Sequence, residues 1–127
     1  MLLVLVCSFS VQAEDKPAGG ERYFEMRTYY AAPGKAEAMH SRFRDHTNKL
    51  FVKHGMALIG YWVPVEKPDT LVYILAYPSK EARESCWKAF MADPDWVKAK
   101  TASEVNGKIV SKVESVYLDS TDFSPMK

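Results

Sequence analysis

Charge of one sign, cysteine, histidine and long apolar runs are all scarce in this chain. The formal net charge is +1, which excludes the broad basic field that nucleic acid or an anionic membrane surface would require. No stretch is long and apolar enough to span a bilayer. The chain has no Gly-rich phosphate loop and no GxSxG, so nucleotide-dependent and serine-hydrolase chemistry are set aside. The 3 histidines, His40, His46 and His54, have no HxxxH, CxxC or carboxylate set beside them. On a helix advancing ~100° per residue, His40 and His46 point about 240° apart, and at ~1.5 Å per residue His40 and His54 lie about 21 Å apart. Neither a metal centre nor a cofactor is expected from such a set.

The N-terminal end differs in composition from the rest. Met1 to Ala13 carries no charge, is apolar from Leu2 to Val6, and ends in Val11-Gln12-Ala13 ahead of Glu14-Asp15. A short apolar run closed by small residues at these positions reads as a signal peptide, so residues 1–13 are expected to be removed on export. The mature protein is then secreted or periplasmic and has no stable membrane span. Residues 14–21, with Pro17, Gly19 and Gly20, read as a flexible leader. Of the 2 cysteines, only Cys86 survives cleavage, so stability must come from an apolar core rather than an internal disulfide.

From Arg22 onward the chain switches between two periodicities. Arg22 to Tyr29 alternates on a two-residue period and predicts the first strand. Ala36, Met39, Phe43, His46 and Leu50 recur at helical spacing, and Gly55 suits a left-handed cap after them. Met56–Val63 and Thr70–Tyr77 read as strands separated by a proline-bearing loop. Ser79 is placed to cap a second helix, on which Ala82, Cys86 and Phe90 form an apolar stripe. Asp93-Pro94 opens a further short helix, and Ile109–Leu118 is the last strand. The order β-α-β-β-α-β with right-handed crossovers predicts an α+β, ferredoxin-like antiparallel sheet with its helices on one face.

Both faces of that sheet are apolar, whereas a sheet covered on one side normally turns polar residues outward. Val72, Ile74 and Ala76 alternate with Tyr73, Leu75 and Tyr77, and Ala57, Ile59 and Tyr61 with Leu58, Gly60 and Trp62. The smaller aliphatic set is expected under the helices and the aromatic set on the open face. A second copy of the chain would cover that face, making a homodimer.

Glu25, Arg27 and Tyr29 are two residues apart on a strand and so share a face. On the open face that the second copy would cover, where they are expected, they read either as a clamp for an anion or carbonyl, with Arg27 binding and Glu25 orienting it or acting as base, or as a structural ion pair that fixes the dimer register. Trp62, Tyr73 and Tyr77 are candidates for the wall of an apolar ligand site, or for interface core. His46, on the helical stripe, is the best-suited general base, or a hydrogen-bonded core histidine.

Several of these pieces resemble one family in order and spacing. Phe24-Glu25-Met26-Arg27-Thr28-Tyr29 followed by Pro33-Gly34-Lys35 resembles the "YELRTY…PGK" opening of the NIPSNAP family. His46 and His54-Gly55 fit its "H…HG", and Gly60-Tyr61-Trp62 its "GxW". Arg83, Trp87, Phe90, Asp93-Pro94 and Trp96 fit its "RxxxWxxFxxDPxW", and Asp122-Phe123-Ser124-Pro125 is similar to its closing "YSP". The resemblance spans residues 22–125 and implies a dimeric α+β barrel. It implies little about reaction. The reading that results is an exported homodimer that binds a small molecule or serves as a scaffold. The alternatives are a cofactor-free oxygenase or isomerase acting in the barrel, and haem handling, which would need a histidine facing the cavity.

Overall fold

The alternating run after the leader forms β1 (Tyr23–Ala31), the first of four strands among the described residues. The structure, a computed structural model, describes residues 21–127, so the signal-peptide reading and most of the leader lie outside the described residues. Strands β2 (Ala57–Trp62), β3 (Thr70–Tyr77) and β4 (Val110–Asp119) complete one antiparallel sheet in the order β2-β3-β1-β4. Helices α1 (Ala36–Arg42) and α2 (Asn48–Lys53) precede β2, and α3 (Lys80–Ala92) and α4 (Pro94–Ser103) lie between β3 and β4. This is the expected ferredoxin-like arrangement.

The local signals act where the spacing put them. Ser79 accepts a hydrogen bond from the Ala82 amide at 3.0 Å and caps α3. Asp93 does the same for α4 through the Asp95 amide at 2.9 Å, with Pro94 in the first turn. Gly55, at φ +83°, takes the left-handed conformation that ends α2. Ser79→Ala should lower stability by about 1 kcal/mol, measured by urea unfolding, because one helix-end amide loses its acceptor.

The two faces of the sheet are the reverse of the expectation. Residues paired across strands point to the same side, and β1 places Glu25 opposite Leu75, Arg27 opposite Tyr73 and Tyr23 opposite Tyr77. Tyr73, Leu75 and Tyr77 are all fully buried beneath the helices. The aliphatic set, Val72, Ile74 and Ala76 with Phe24 and Met26, lies on the open side. The reason is volume and chemistry together. Close packing of helices over a sheet requires large side chains to fill the space between the layers. The tyrosine hydroxyls find their partners within that layer rather than in water.

Two irregularities shift individual residues. The β2–β3 register slips between Leu58 and Gly60, so Leu58 stays opposite Leu75 while Gly60 pairs with Ile74, Tyr61 with Tyr73 and Trp62 with Val72. This bulge divides the alternation in two. Tyr61 turns under the helices, stacked on Tyr73 with ring centroids 5.1 Å apart. Trp62 goes to the open face, where it is 52% exposed. Its ring folds back over Gly60, where a β-carbon would come within 2.5 Å of it. The second irregularity is a π-helical turn, Phe43–Thr47, between α1 and α2. The extra residue rotates His46 out to the exposed surface and puts Thr47 in the buried position, its hydroxyl donating to the Arg42 carbonyl at 3.2 Å. His46 is therefore not on the apolar stripe, and it is not a core histidine.

The core beneath the helices is largely aromatic. Phe43 meets Tyr73 at 5.2 Å, Phe51 meets Phe90 at 4.8 Å, and Phe90 meets Trp96 at 4.7 Å. Edge and tilted contacts of this kind add to the burial of each ring.

Candidate functional site

Glu25 and Arg27 occupy alternate positions of β1, and Arg83 and Trp87 lie one turn apart on α3, directly above. The result is a buried polar network. The Glu25 carboxylate is inaccessible to solvent and accepts from four directions. Arg27 Nη1 and Arg83 Nη2 each donate to Oε2 at 2.9 Å, while Tyr77 OH at 2.7 Å and Arg83 Nε at 3.1 Å donate to Oε1. Trp87 Nε1 in turn donates to Tyr77 OH at 2.7 Å. Burial alone would raise the Glu25 pKa, but the bonds from Arg83 and Tyr77 and the charge on Arg27 outweigh it and hold the group at about 2. Burial and the bond to Glu25 push the Tyr77 phenol far above its ordinary value, so it stays a neutral donor.

Arg27 is committed nearly as fully. Nε donates to Tyr73 OH at 2.9 Å, Nη1 also to Ser115 Oγ at 3.0 Å, and Nη2 to Tyr29 OH at 3.2 Å. A guanidinium has five N–H groups, so one on Nη2 remains. Its central carbon also lies 4.3 Å from the Trp87 ring centroid. Two guanidinium groups and one carboxylate leave the buried network with an excess positive charge. Glu84 meets Arg83 Nη1 at 3.2 Å, but from the solvent side, where it is two-thirds exposed and screened by water.

Arg27, Tyr29 and Trp87 line one end of a cavity of about 250 Å³ between the sheet and the helices. Phe43, Phe51 and Phe90 supply its apolar wall, and Arg42, Trp96, Lys100, Glu104 and Lys108 close the other end. Arg42 Nη1 donates to Ser103 Oγ and Glu104 Oε1, both at 3.3 Å. Lys100 Nζ lies 3.6 Å from the same carboxylate. The lining therefore carries four cationic side chains and one anionic one.

The sequence-predicted residues divide accordingly. Glu25, Arg27, Tyr29, Tyr73 and Tyr77 come together in one network, of which Arg27 and Tyr29 reach the cavity. Tyr73 and Tyr77 brace it from behind. Trp62 is on the opposite side of the sheet, so it cannot wall the same site. A carboxylate held at about 2 with both oxygens occupied is a poor base, which makes Glu25 the strut that orients Arg27. His46 faces outward on the helix that carries it. His54 is engaged elsewhere, its Nε2 2.7 Å from Asp93 Oδ2, which also accepts from Lys53 at 2.7 Å. Sequence reasoning missed Arg83 as the partner of Glu25, and Arg42, Trp96, Lys100 and Lys108 as lining. Only the four-residue spacings of Arg83 with Trp87 and of Trp96 with Lys100 hinted that these pairs share helix faces.

A family model described as NIPSNAP matches residues 24–125. A NIPSNAP family protein of unknown function from Agrobacterium tumefaciens is 24% identical, with a TM-score of 0.72 over 84% of this chain and 94% of its own. An uncharacterized NIPSNAP domain protein from Burkholderia xenovorans is 25% identical, with a TM-score of 0.70 over 81% and 98%. A Caulobacter crescentus protein described as a candidate antibiotic biosynthesis monooxygenase shares the fold at 16% identity, with a TM-score of 0.59 over 80% and 92%. No curated protein matches. The helix pair that carries Arg83, Trp87 and Trp96 over the Glu25–Arg27 strand lies within the matched span, and the chain belongs to the NIPSNAP family.

Proposed function

We propose that this NIPSNAP-family chain is an exported homodimer that binds a small molecule in the cavity between its sheet and helices, without turnover of its own. The observation that carries the binding reading is the excess buried charge of the Glu25–Arg27–Arg83 network at the end of an aromatic-walled cavity. Burying charge is costly unless a partner or ligand balances it. The cavity, at about 250 Å³, lies just below the ~300–1,000 Å³ usual for ligand sites, so its occupant is small. Export is supported by the Met1–Ala13 segment, and pairing by the apolar open face of the sheet. The absence of turnover is supported by the state of the two base candidates, one held ionised and saturated, the other turned to solvent.

Native mass spectrometry of the protein purified from its own source tests all three parts. The expected species is a pair of chains beginning after Ala13, with a small molecule that is released on denaturation. Bare chains, together with no response of the cavity tryptophan fluorescence to millimolar organic acids or amides, would overturn the binding reading. A retained molecule that is altered on incubation in air would replace it with an oxygenase.

A further inference from the structure

The mouth of the cavity lies along β4, and its polar groups are donors with no anionic acceptor beside them. The apolar lining that solvent reaches most is Met91 on α3, 55% exposed, and Val113 on β4, 43% exposed. Trp87 lies one turn before Met91, on the same helix face. Val113 is across from Tyr29 and Ser115 across from Arg27, so β4 forms the rim beside both. Ser115 is exposed, Tyr29 half-buried and the Arg27 side chain 12% exposed, so solvent reaches all three.

Three protons converge there. Tyr29 OH and Ser115 Oγ each accept from Arg27, and a hydroxyl that accepts still has its own proton to give. Burial first, and then Tyr29, hold the Tyr73 phenol well above its ordinary value. Tyr73 therefore keeps its proton beside Tyr29, and the Tyr29 proton turns outward. The third is the spare N–H of Arg27. Guanidinium N–H groups point in fixed directions in one plane, Nε and Nη2 forming one fork, Nη2 and Nη1 the next. Tyr73 and Tyr29, with ring centroids 5.2 Å apart, take the first fork. The N–H left on Nη2 lies on the side of Nη1, which holds Ser115 on β4. Glu25 offers nothing in return, since it is inaccessible to solvent with both oxygens occupied.

We infer that this mouth binds an organic monocarboxylate, whose carboxylate accepts from Arg27 Nη2, Tyr29 OH and Ser115 Oγ while its apolar body lies on Trp87, Met91 and Val113. This rests on the binding reading above and adds the ligand's class and the side from which it enters. A carboxylate only accepts, and its roughly four lone-pair sites suit three donors. Arg27 and Arg83 against Glu25 leave one positive charge in the network, which a monoanion balances and a phosphate dianion exceeds. A neutral amide would bring N–H groups to a place with no free carboxylate to accept them.

The test uses benzoate as probe, with benzamide and inorganic phosphate as controls. Ser115→Thr and Ser115→Val give side chains of one shape that differ by a hydroxyl, at an exposed strand position where either should fold. Arg27→Lys keeps the charge and removes the Nη2 donor. Circular dichroism and melting curves establish that each variant is folded. Calorimetric titration of the wild type is expected to show benzoate binding at least about tenfold more tightly than benzamide or phosphate. S115T should bind it within about twofold of wild type, and S115V and R27K about tenfold more weakly. In two-dimensional nitrogen–proton spectra the Val113 and Ser115 amides should shift as benzoate saturates the wild type. The molecule released from protein purified from its own source should be a carboxylic acid.

If benzamide binds as well as benzoate, if S115V matches S115T, or if the released molecule has no carboxyl group, the assignment of ligand and entry is overturned while the cavity remains a binding site. If none of the three probes binds and the protein from its source carries no small molecule, the binding reading falls as well.

Discussion

Glu25→Gln is expected to lower the free energy of unfolding at neutral pH by about 3 kcal/mol, because removing one partner of a buried ion pair leaves the other charge uncompensated. For a domain of this size that is a fall in Tm on the order of 15 °C. Two arginines lose their buried counter-ion at once, since Arg27 and Arg83 both donate to the same carboxylate. Glutamine has nearly the same shape, so no cavity contributes to the loss. The pH dependence gives an independent reading. The Glu25 carboxyl sits near 4.5 in the unfolded chain and at about 2 in the folded one. Between those values the unfolded state binds more protons. The stabilisation is therefore complete above about pH 4.5 and is lost as the pH falls toward 2, by an amount on the order of 3 kcal/mol. Asp93 is also held low, by Lys53 and His54, but it is present in both proteins and cancels in their difference. Urea unfolding of wild type and variant from pH 7 to pH 2 should show a gap that closes over that window. Equal stabilities at pH 7, or a gap unchanged at pH 2, would show that Glu25 does not hold the network together.

The order of elements is legible in the sequence because each has its own local signal. Ser79, Asp93-Pro94 and Gly55 mark helix ends through backbone hydrogen bonding and φ, which depend on the residue itself and its immediate neighbours. Which face of the sheet the helices cover is a different kind of question. Tyr73 and Ile74 alternate correctly under either answer, and the choice depends on which side chains fill the space beneath α3 and find partners there. Tyr77 is buried because Glu25 and Trp87 satisfy its hydroxyl, and Trp87 comes from another element. Trp62 escapes the alternation because a one-residue bulge at Ile59 leaves no mark in the pattern except that Gly60 follows it. His46 escapes the helical stripe for a similar reason, since a π-turn adds a residue without a proline or glycine to announce it. The site is half legible. Two-residue spacing places Glu25, Arg27 and Tyr29 together, whereas Arg42 and Trp96 come from separate helices that only the tertiary packing of α1 against α4 brings to one wall.

In the dimer proposed above, Ile74→Asp should convert a two-subunit species into single subunits. Pairing is expected despite the exchange of faces, because the side left open is still apolar. Ile74 lies opposite Met26 on β1 and Gly60 on β2, with Val72 along its own strand; Phe24 and Ala76 share this side but are already buried within the chain. Trp62 and, on β4, Val116 and Leu118 extend the same surface, at 52%, 47% and 37% exposure. Exposed apolar side chains gathered on one face are what a pairing surface would cover, and a stable interface needs roughly 1,000 Å² of buried area. A carboxylate at its middle meets no cation on its own strand or its neighbours' facing positions. Desolvating it between two sheets would cost several kcal/mol. In the isolated subunit the same side chain stays partly hydrated, so the fold and the Glu25 network behind the sheet should persist. Sedimentation equilibrium at about 10–50 µM (concentrations on the order used to separate weak from stable pairing) is the measurement, with circular dichroism to confirm that the variant is folded. A wild type that sediments as one subunit in that range would remove the pairing altogether. A variant that stays dimeric would mean that the copies meet elsewhere, with the exposed edge strand β4 the next surface to test.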